Sequence, residues 1–372
     1  MELLDVGRVL VGLVLLVAGG EVLVRGASGL ARRAGISSLV VGLTVVSLAT
    51  SAPELAVTVG AVMRDEPGLA VGNVVGSNIA NVLLILGVSA LVLPLLVTRR
   101  LIRIDVPIML VLSGLLLVLS LDGRIGAVDG GLFLAVLVGY LTLSVVLGRA
   151  KTPVAVLAGE EVEAKAASGA EEEFRPLPVW SAVLLVVAGV ALLVGGAHLL
   201  VEGAVNVATE LGVSSLVVGL TVVAVGTSLP ELAVSVVAVR RGERDMAVGN
   251  VVGSNIANIG LVLGLPALLA VGGLPVPAEA VALDLPLMVA ASVALLPIAF
   301  TGFVISRWEG GLFVALYLAY MAYLVLAATE HDALSGFTAV MVWFVLPLVA
   351  VTVLVFTLYE VRLRRLRAAA RR

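Results

Sequence analysis

The sequence predicts an all-α polytopic membrane protein with two inverted five-helix repeats and a C-terminal eleventh transmembrane helix. Three observations lead to this prediction. Of the 372 residues, 61% are hydrophobic and only 13% are charged, about half the charged share of a typical soluble domain. Apolar runs long enough to cross a hydrocarbon core of about 30 Å recur along most of the chain. Finally, one block of sequence occurs twice.

The duplicated block defines the two halves of the chain. Residues 36–87 and 213–264 align without a gap, and about seven positions in ten are identical. Each copy contains a TS-x-PE motif, at Thr50–Glu54 and Thr227–Glu231, followed by the run GNVVGSNIAN. Such a duplication is typical of secondary transporters whose two halves enter the membrane in opposite directions.

The predicted spans follow the apolar runs in chain order, with ends uncertain by several residues. They lie at about 7–24, 36–62, 68–97, 104–121 and 127–148, then at about 180–200, 213–239, 245–271, 281–302 and 311–329, and finally at about 337–359. The chain therefore divides into a first repeat (1–150), an acidic polar linker (151–178), a second, inverted repeat (179–330), and an extra helix with a basic tail (331–372).

The basic residues predict the orientation. With eleven spans and the N-terminus outside, about twenty of the 23 lysines and arginines fall on the inner side, in the direction of the positive-inside rule. Only Arg8, Arg64 and Arg124 fall outside. The linker and the C-terminus are therefore predicted to be cytoplasmic.

Each TS-x-PE motif predicts a broken helix that carries a carboxylate inside the membrane. Pro53 and Pro230 have no N–H and clash with the preceding helical turn, so each should interrupt its helix. Glu54 and Glu231 would lie at equivalent places in apolar segments, where a carboxylate costs at least about 2.5 kcal/mol. With hydroxyls and freed carbonyls they form an all-oxygen ligand set suited to Ca2+ or Na+. The chain has no cysteine, which excludes disulfides and thiolate metal sites.

The GNVVGSNIAN runs add neutral oxygens to this set. Ser77 and Asn81 are four residues apart, as are Ser254 and Asn258, so each pair lies on one helix face. Small residues at every fourth position should let another helix backbone approach closely. They are Gly72, Gly76 and Ala80 in the first copy, and Gly249, Gly253 and Ala257 in the second.

The paired motifs resemble the alpha-repeats of the calcium/cation antiporter superfamily, in particular sodium/calcium exchangers. The resemblance implies a plasma-membrane antiporter that exchanges Na+ for Ca2+ by alternating access, with electrogenic Ca2+ extrusion. Its partners would be Ca2+, Na+ and the lipid bilayer, without enzyme activity, a cofactor or nucleic acid. The implied Ca2+ ligands are Thr50, Glu54, Thr227 and Glu231; the implied Na+ ligands are Ser51, Ser77, Asn81, Ser228, Ser254, Asn258 and the carbonyls of Ser47 and Ala224.

Asn258 departs from the pattern of some family members, which carry aspartate there. Two carboxylates rather than three remain, which weakens any case for K+ cotransport.

The alternative function is H+/Ca2+ antiport, or antiport of another divalent cation, by the same two glutamates; the hydroxyl and amide ligands favour sodium. A cation channel is disfavoured by inverted repeats with broken helices, and a membrane enzyme by the lack of a catalytic motif. The oligomeric state stays open.

Overall fold

The computed structural model describes residues 3–149, 178–212, 215–218, 221–222, 224–300 and 303–352, together with 354, 355, 359 and 362. The predicted linker, except for Pro178, and the basic tail, except for Arg362, lie outside the described residues. Gly219 and Leu220 of the second repeated block lie outside them as well.

The described chain is mostly helical. The first half contains α1 (Leu3–Ala34), α2 (Ser38–Val41), α3 (Ser47–Thr50), α4 (Ala52–Met63), α5 (Pro67–Ala80), α6 (Leu86–Val92), α7 (Val106–Leu119) and α8 (Ala127–Arg149). The second half contains α9 (Val179–Glu210), α10 (Ser215–Val218), α11 (Ala224–Gly226), α12 (Leu229–Arg240), α13 (Arg244–Ala257), α14 (Gly264–Leu269), α15 (Leu285–Phe300) and α16 (Arg307–Ala328), and α17 (Ala333–Val340) begins the last helix. Described π-helical turns occur at Gly42–Val46, Asn81–Ile85, Leu101–Asp105, Asn258–Leu263, Ala280–Asp284 and Met341–Val345.

The predicted multi-pass helical architecture is confirmed. Among the described residues, eight helices are long and apolar enough to cross a membrane, and a ninth candidate is the pair Ser38–Thr50 and Ala52–Met63, bent by 40°. A shorter apolar helix covers Ala280–Leu296. The predicted span at 213–239 includes residues outside the described set, so the count of eleven stays a prediction.

The helices α1 and α9 pack closely through glycines spaced seven residues apart. A Cβ added to Gly12 would lie 2.7 Å from the carbonyl oxygen of Gly196, and one added to Gly19 would lie 2.9 Å from that of Gly189. Residue numbers rise along one helix as they fall along the other, so the two helices are antiparallel. Gly12 and Gly189 are sequence equivalents, 177 positions apart like the two motif glutamates. Equivalent helices therefore meet in opposite directions, as an inverted repeat requires.

Short antiparallel strand pairs join the two halves at the ends of the helices. The strand β1 (Leu95–Leu96) pairs with β4 (Val304–Ile305), and β2 (Arg124–Ile125) pairs with β3 (Leu274–Pro275). Each pair combines one strand from each half. The all-α prediction did not include these strands. They form because two connecting segments satisfy each other's backbone hydrogen-bonding groups.

The α1–α9 pair is packed against one side of the core. Helix α1 contacts α12, whereas α9 makes no comparable contact with α4 among the described residues. Glu21 of α1 forms an ion pair with Arg241 just beyond α12. Ser28 of α1 donates a hydrogen bond of 3.2 Å to Glu243. The two halves therefore have equivalent elements but different contacts.

Candidate functional site

Both TS-x-PE motifs interrupt a helix, as predicted. Helix α3 ends at Thr50 and α4 begins at Ala52; α11 ends at Gly226 and α12 begins at Leu229. Each motif proline stands at the first or second position of its new helix, where the missing N–H removes no helical hydrogen bond. Each motif glutamate lies in the first turn, where the helix dipole stabilises a negative charge.

The two motif glutamates are buried near each other. Glu54 is 1% exposed and Glu231 is 0% exposed, and their carboxylates are close enough to interact electrostatically. None of their carboxylate oxygens has a hydrogen-bond partner in the described part of the chain. A buried acid elsewhere differs, because Asp105 accepts a hydrogen bond of 3.2 Å from Tyr140 and lies 3.7 Å from Arg100. Two unpaired buried carboxylates form a negative site that a cation would neutralise.

Most of the predicted neutral ligands are also buried without partners. Their side-chain oxygens make no hydrogen bond with any residue that the structure describes; these oxygens belong to Ser51, Ser77, Asn81, Ser228, Ser254 and Asn258. Buried polar atoms in folded proteins are normally hydrogen-bonded. Serine hydroxyls without a partner also occur elsewhere in the described chain, but these six lie in the same motifs as two unpaired carboxylates, which indicates a site that a bound ligand completes.

The first helix break brings its threonine to the second repeat. The Thr50 hydroxyl lies 3.3 Å from the Ser47 carbonyl oxygen and 3.3 Å from Asn250 Oδ1. It also lies near the Glu231 carboxylate. The Ser47 carbonyl additionally accepts the Ser51 N–H at 3.0 Å.

The second helix break is arranged differently. The Ser228 N–H donates to the Val225 carbonyl at 3.1 Å, rather than to Ala224 as the first copy would suggest. Thr227 is half-buried, and the described residues give it no counterpart of the Thr50 contact to an asparagine. The two breaks therefore present different carbonyl groups despite their matched sequences.

Two asparagines that the sequence analysis did not single out tie the broken helices to α5 and α13. Asn73 donates to the Glu54 carbonyl oxygen at 3.2 Å and to the Thr58 hydroxyl at 3.0 Å. Asn250 makes the equivalent bonds from α13 to α12, at 3.5 and 3.1 Å. Asn73 lies four residues before Ser77, on the helix face that carries predicted ligands, and this spacing could have identified it.

The glycine faces of α5 and α13 differ in the contacts that the structure describes. A Cβ added to Gly249 would lie 2.7 Å from the Leu39 carbonyl oxygen, and Gly253 is packed as closely against the next turn. The predicted close approach is therefore correct for α13. A Cβ added to Gly72 or Gly76 would meet no described atom within 4 Å. Leu220, the equivalent of the Leu43 that packs on Gly253, lies outside the described residues, so the close approach on α5 stays a prediction.

The two faces also differ in exposure. Helix α2 contacts α13, whereas its sequence equivalent α10 makes no comparable contact with α5 in the described part of the chain. Leu69 on α5 is 48% exposed, and the equivalent Met246 on α13 is 0% exposed. We call the face of α5 at Leu69 and Gly72 open because both residues are exposed, and the face of α13 at Met246 and Gly249 closed because both are buried.

Both predicted repeats match one protein family. The model of the sodium/calcium exchanger protein family matches residues 5–146 and 181–326. The chain belongs to the sodium/calcium exchanger family. It is 39% identical to the inner membrane protein YrbG of Escherichia coli (strain K12), over 73% of this chain and 81% of that protein. It is 36% identical to the sodium/calcium exchanger MaX1 of Methanosarcina acetivorans, over 85% of this chain and 96% of that protein.

A solved structure in the same family has the same fold. The sodium-calcium exchanger NCX_Mj superposes with a TM-score of 0.72 at 34% identity, covering 87% of this chain and 99% of that one. This exchanger-family chain is therefore a multi-pass integral membrane protein and a cation/Ca2+ antiporter, a transporter rather than an enzyme. Within the described residues, no three His, Cys, Asp or Glu side chains come together, so the site contains the two predicted carboxylates without a third.

Proposed function

We propose that this exchanger couples Na+ influx to Ca2+ extrusion, with Ca2+ bound between Glu54 and Glu231. The observation that carries the proposal is the pair of buried carboxylates without hydrogen-bond partners among the described residues. Two carboxylates balance the charge of one Ca2+. Their oxygens, with oxygens of Thr50 and Thr227, can supply most of the six to eight ligands that Ca2+ takes at about 2.3–2.6 Å.

Sodium is our choice of coupling ion because of the neutral oxygens around the glutamates. A proton binds one carboxylate oxygen, whereas a sodium ion needs a cage of several oxygens. The unsatisfied hydroxyl and amide oxygens support such a cage without adding charge. The sodium ligands we propose are the side chains of Ser51, Ser77, Asn81, Ser228, Ser254 and Asn258, with the carbonyls of Ser47 and Ala224. When more than two Na+ exchange for one Ca2+, the loaded states differ in charge and exchange is electrogenic.

We further propose that the described conformation admits ions from outside the cell. The distribution of arginines supports a plasma-membrane orientation with the N-terminus outside and with the linker at 151–178 and the C-terminus in the cytoplasm. In that orientation the open face of α5 belongs to the outer half of the membrane, and the closed face of α13 to the inner half. Alternating access would exchange the open and closed faces of the two repeats.

The test is uptake of 45Ca2+ into proteoliposomes. Vesicles loaded with Na+ and diluted into Na+-free buffer should take up Ca2+, with a Hill coefficient for Na+ above one. A pH gradient of equal size should have little effect, and an inside-positive potential set with K+ and valinomycin should change the rate. Vesicles without protein and vesicles with Glu54→Gln are the controls. Uptake driven equally well by protons in Na+-free buffer would instead establish H+/Ca2+ antiport by the same glutamates.

A further inference from the structure

Four asparagines from α5 and α13 form a hydrogen-bonded group where the two repeats meet; we call it the asparagine relay. It consists of Asn78, Asn81, Asn255 and Asn258, each at most 1% exposed. Asn81 Nδ2 donates to Asn255 Oδ1 at 2.9 Å, and Asn258 Nδ2 donates to Asn78 Oδ1 at 3.1 Å. Two members were predicted sodium ligands, and Asn78 and Asn255 have no role in the function described so far.

The relay is anchored on main-chain carbonyl groups. Asn78 Nδ2 donates to the Asn255 carbonyl oxygen, and Asn255 Nδ2 donates to the Asn78 carbonyl oxygen, both at 3.4 Å. Each of these nitrogens also contacts a methionine sulfur, at 3.6 and 3.5 Å. Carbonyl oxygens only accept hydrogen bonds, so the side-chain nitrogen must face the carbonyl and the side-chain oxygen must face away from it. The orientation of both amides is therefore fixed.

The fixed amides determine the orientation of the two predicted ligands. Asn78 and Asn255 each present an oxygen, so the partner asparagine must turn its nitrogen towards that oxygen. The Oδ1 atoms of Asn81 and Asn258 are consequently left buried and without a partner in the described part of the chain. An amide has nearly the same shape after a flip, but its oxygen binds a cation and its NH2 group repels one.

We propose that Asn78 and Asn255 are positioning residues for sodium, which hold Asn258 and Asn81 with their oxygens directed to the ion. This inference rests on the proposed sodium site. Asn258 needs such positioning because it carries an amide, whereas a carboxylate at position 258 would present an oxygen in either orientation. In an Asn258→Asp variant the oxygen of Asn78 would face the carboxylate unfavourably, and the relay would have no orientation to hold.

The decisive experiment measures Asn78→Ala in two backgrounds by Na+-driven 45Ca2+ flux in proteoliposomes. In the natural background the half-saturating Na+ concentration should rise about threefold to tenfold, the range for loss of one hydrogen-bond-sized interaction, while the KM for Ca2+ stays within about twofold. With Asn258→Asp present, the same alanine substitution should not raise the half-saturating Na+ concentration, and a fall would agree with relief of the oxygen–carboxylate contact.

A second arm uses the other half of the relay. Asn255→Ala should raise the half-saturating Na+ concentration, and Asn81→Asp should remove that effect. Size-exclusion chromatography checks that each variant is folded. The inference is overturned if the alanine substitutions have equal effects in both backgrounds, have no effect in either, or unfold the protein in both. Asn78 and Asn255 would then have no positioning role.

One further variant separates failure of this inference from failure of the proposed function. If Asn258→Ala leaves the Na+ dependence unchanged, Asn258 is not a sodium ligand. The assignment of the sodium site then fails together with the positioning role of Asn78. If Asn258→Ala weakens Na+ dependence and Asn78→Ala does not, only the positioning role fails.

Discussion

The close packing of Gly249 on the closed face of α13 leads to a specific prediction. An added Cβ would lie 2.7 Å from the Leu39 carbonyl oxygen and 3.2 Å from the Leu43 N, which is well inside normal contact distance. Overpacking of this kind costs about 1–3 kcal/mol. Gly249→Ala should therefore shift the population away from the described conformation by about 5- to 150-fold. The Cβ of the equivalent Gly72→Ala would meet no described atom within 4 Å and should leave this conformation undisturbed.

Cysteine labelling can measure this shift because the chain has no natural cysteine. Leu69→Cys lies on the open face of α5, and Met246→Cys is the buried equivalent on α13. The rate of modification of Leu69→Cys by a membrane-impermeant maleimide reports the fraction of molecules with the α5 face open. Adding Gly249→Ala should slow this labelling, at most by the about 5- to 150-fold change in the ratio of open to closed molecules, whereas Gly72→Ala should leave it unchanged or raise it.

The opposite effects of these matched glycine substitutions are the critical result. If Gly249→Ala is folded and labels at the unsubstituted rate, the contact with Leu39 does not hold the α13 face closed. If Gly72→Ala and Gly249→Ala change labelling in the same direction, the two glycines do not distinguish two conformations. Either result would refute the reasoning.

Two other predictions concern the site and the packing of α1. Glu54→Gln or Glu231→Gln should each reduce Ca2+ flux by about 100-fold or more, because half of the charge that compensates a divalent ion is removed. The Tm of the ion-free protein should not fall, since a buried unpaired charge is lost, but the rise in Tm on adding Ca2+ should disappear; near-normal flux would contradict the site. Glu21→Gln should slow labelling of Leu69→Cys by at most about fivefold, because an exposed ion pair contributes about 1 kcal/mol or less. High salt should reduce that effect. Glu202→Gln is the matched control, because the ion pair of Glu202 with Arg8 joins α1 to α9 and not to the core.

The local chemistry of the site could be predicted because each motif acts on its own helix. Proline cannot continue a helix, so Pro53 and Pro230 determine the breaks, and the following glutamate is then in the first helical turn. The glycines of the α1–α9 contact were also visible in the sequence, at intervals of seven residues. They lie outside the repeated block, where the small residues at every fourth position predict close packing.

The relay and the open face could not be predicted in the same way. Asn78 acquires its role only when α5 crosses α13, and nothing in GNVVGSNIAN indicates which asparagine faces the partner helix. The difference between Gly72 and Gly249 has another origin. Two copies with about seven identical positions in ten have similar local preferences, so the choice of the closed face depends on packing across the whole core.

The residues that break the symmetry of the repeats are therefore the ones that can favour one conformation. The ion pair between Glu21 and Arg241 joins α1 to the end of α12 in the described conformation. If the opposite conformation brings α9 to α4, the equivalent positions are His198 and Arg64, which cannot form an ion pair. The hydrogen bond of Ser28 likewise has no equivalent, because a valine occupies the matching position. An exposed ion pair contributes about 1 kcal/mol or less, which changes the population by about fivefold at most. A bias of that size favours one face without preventing access to the other, as an exchanger requires.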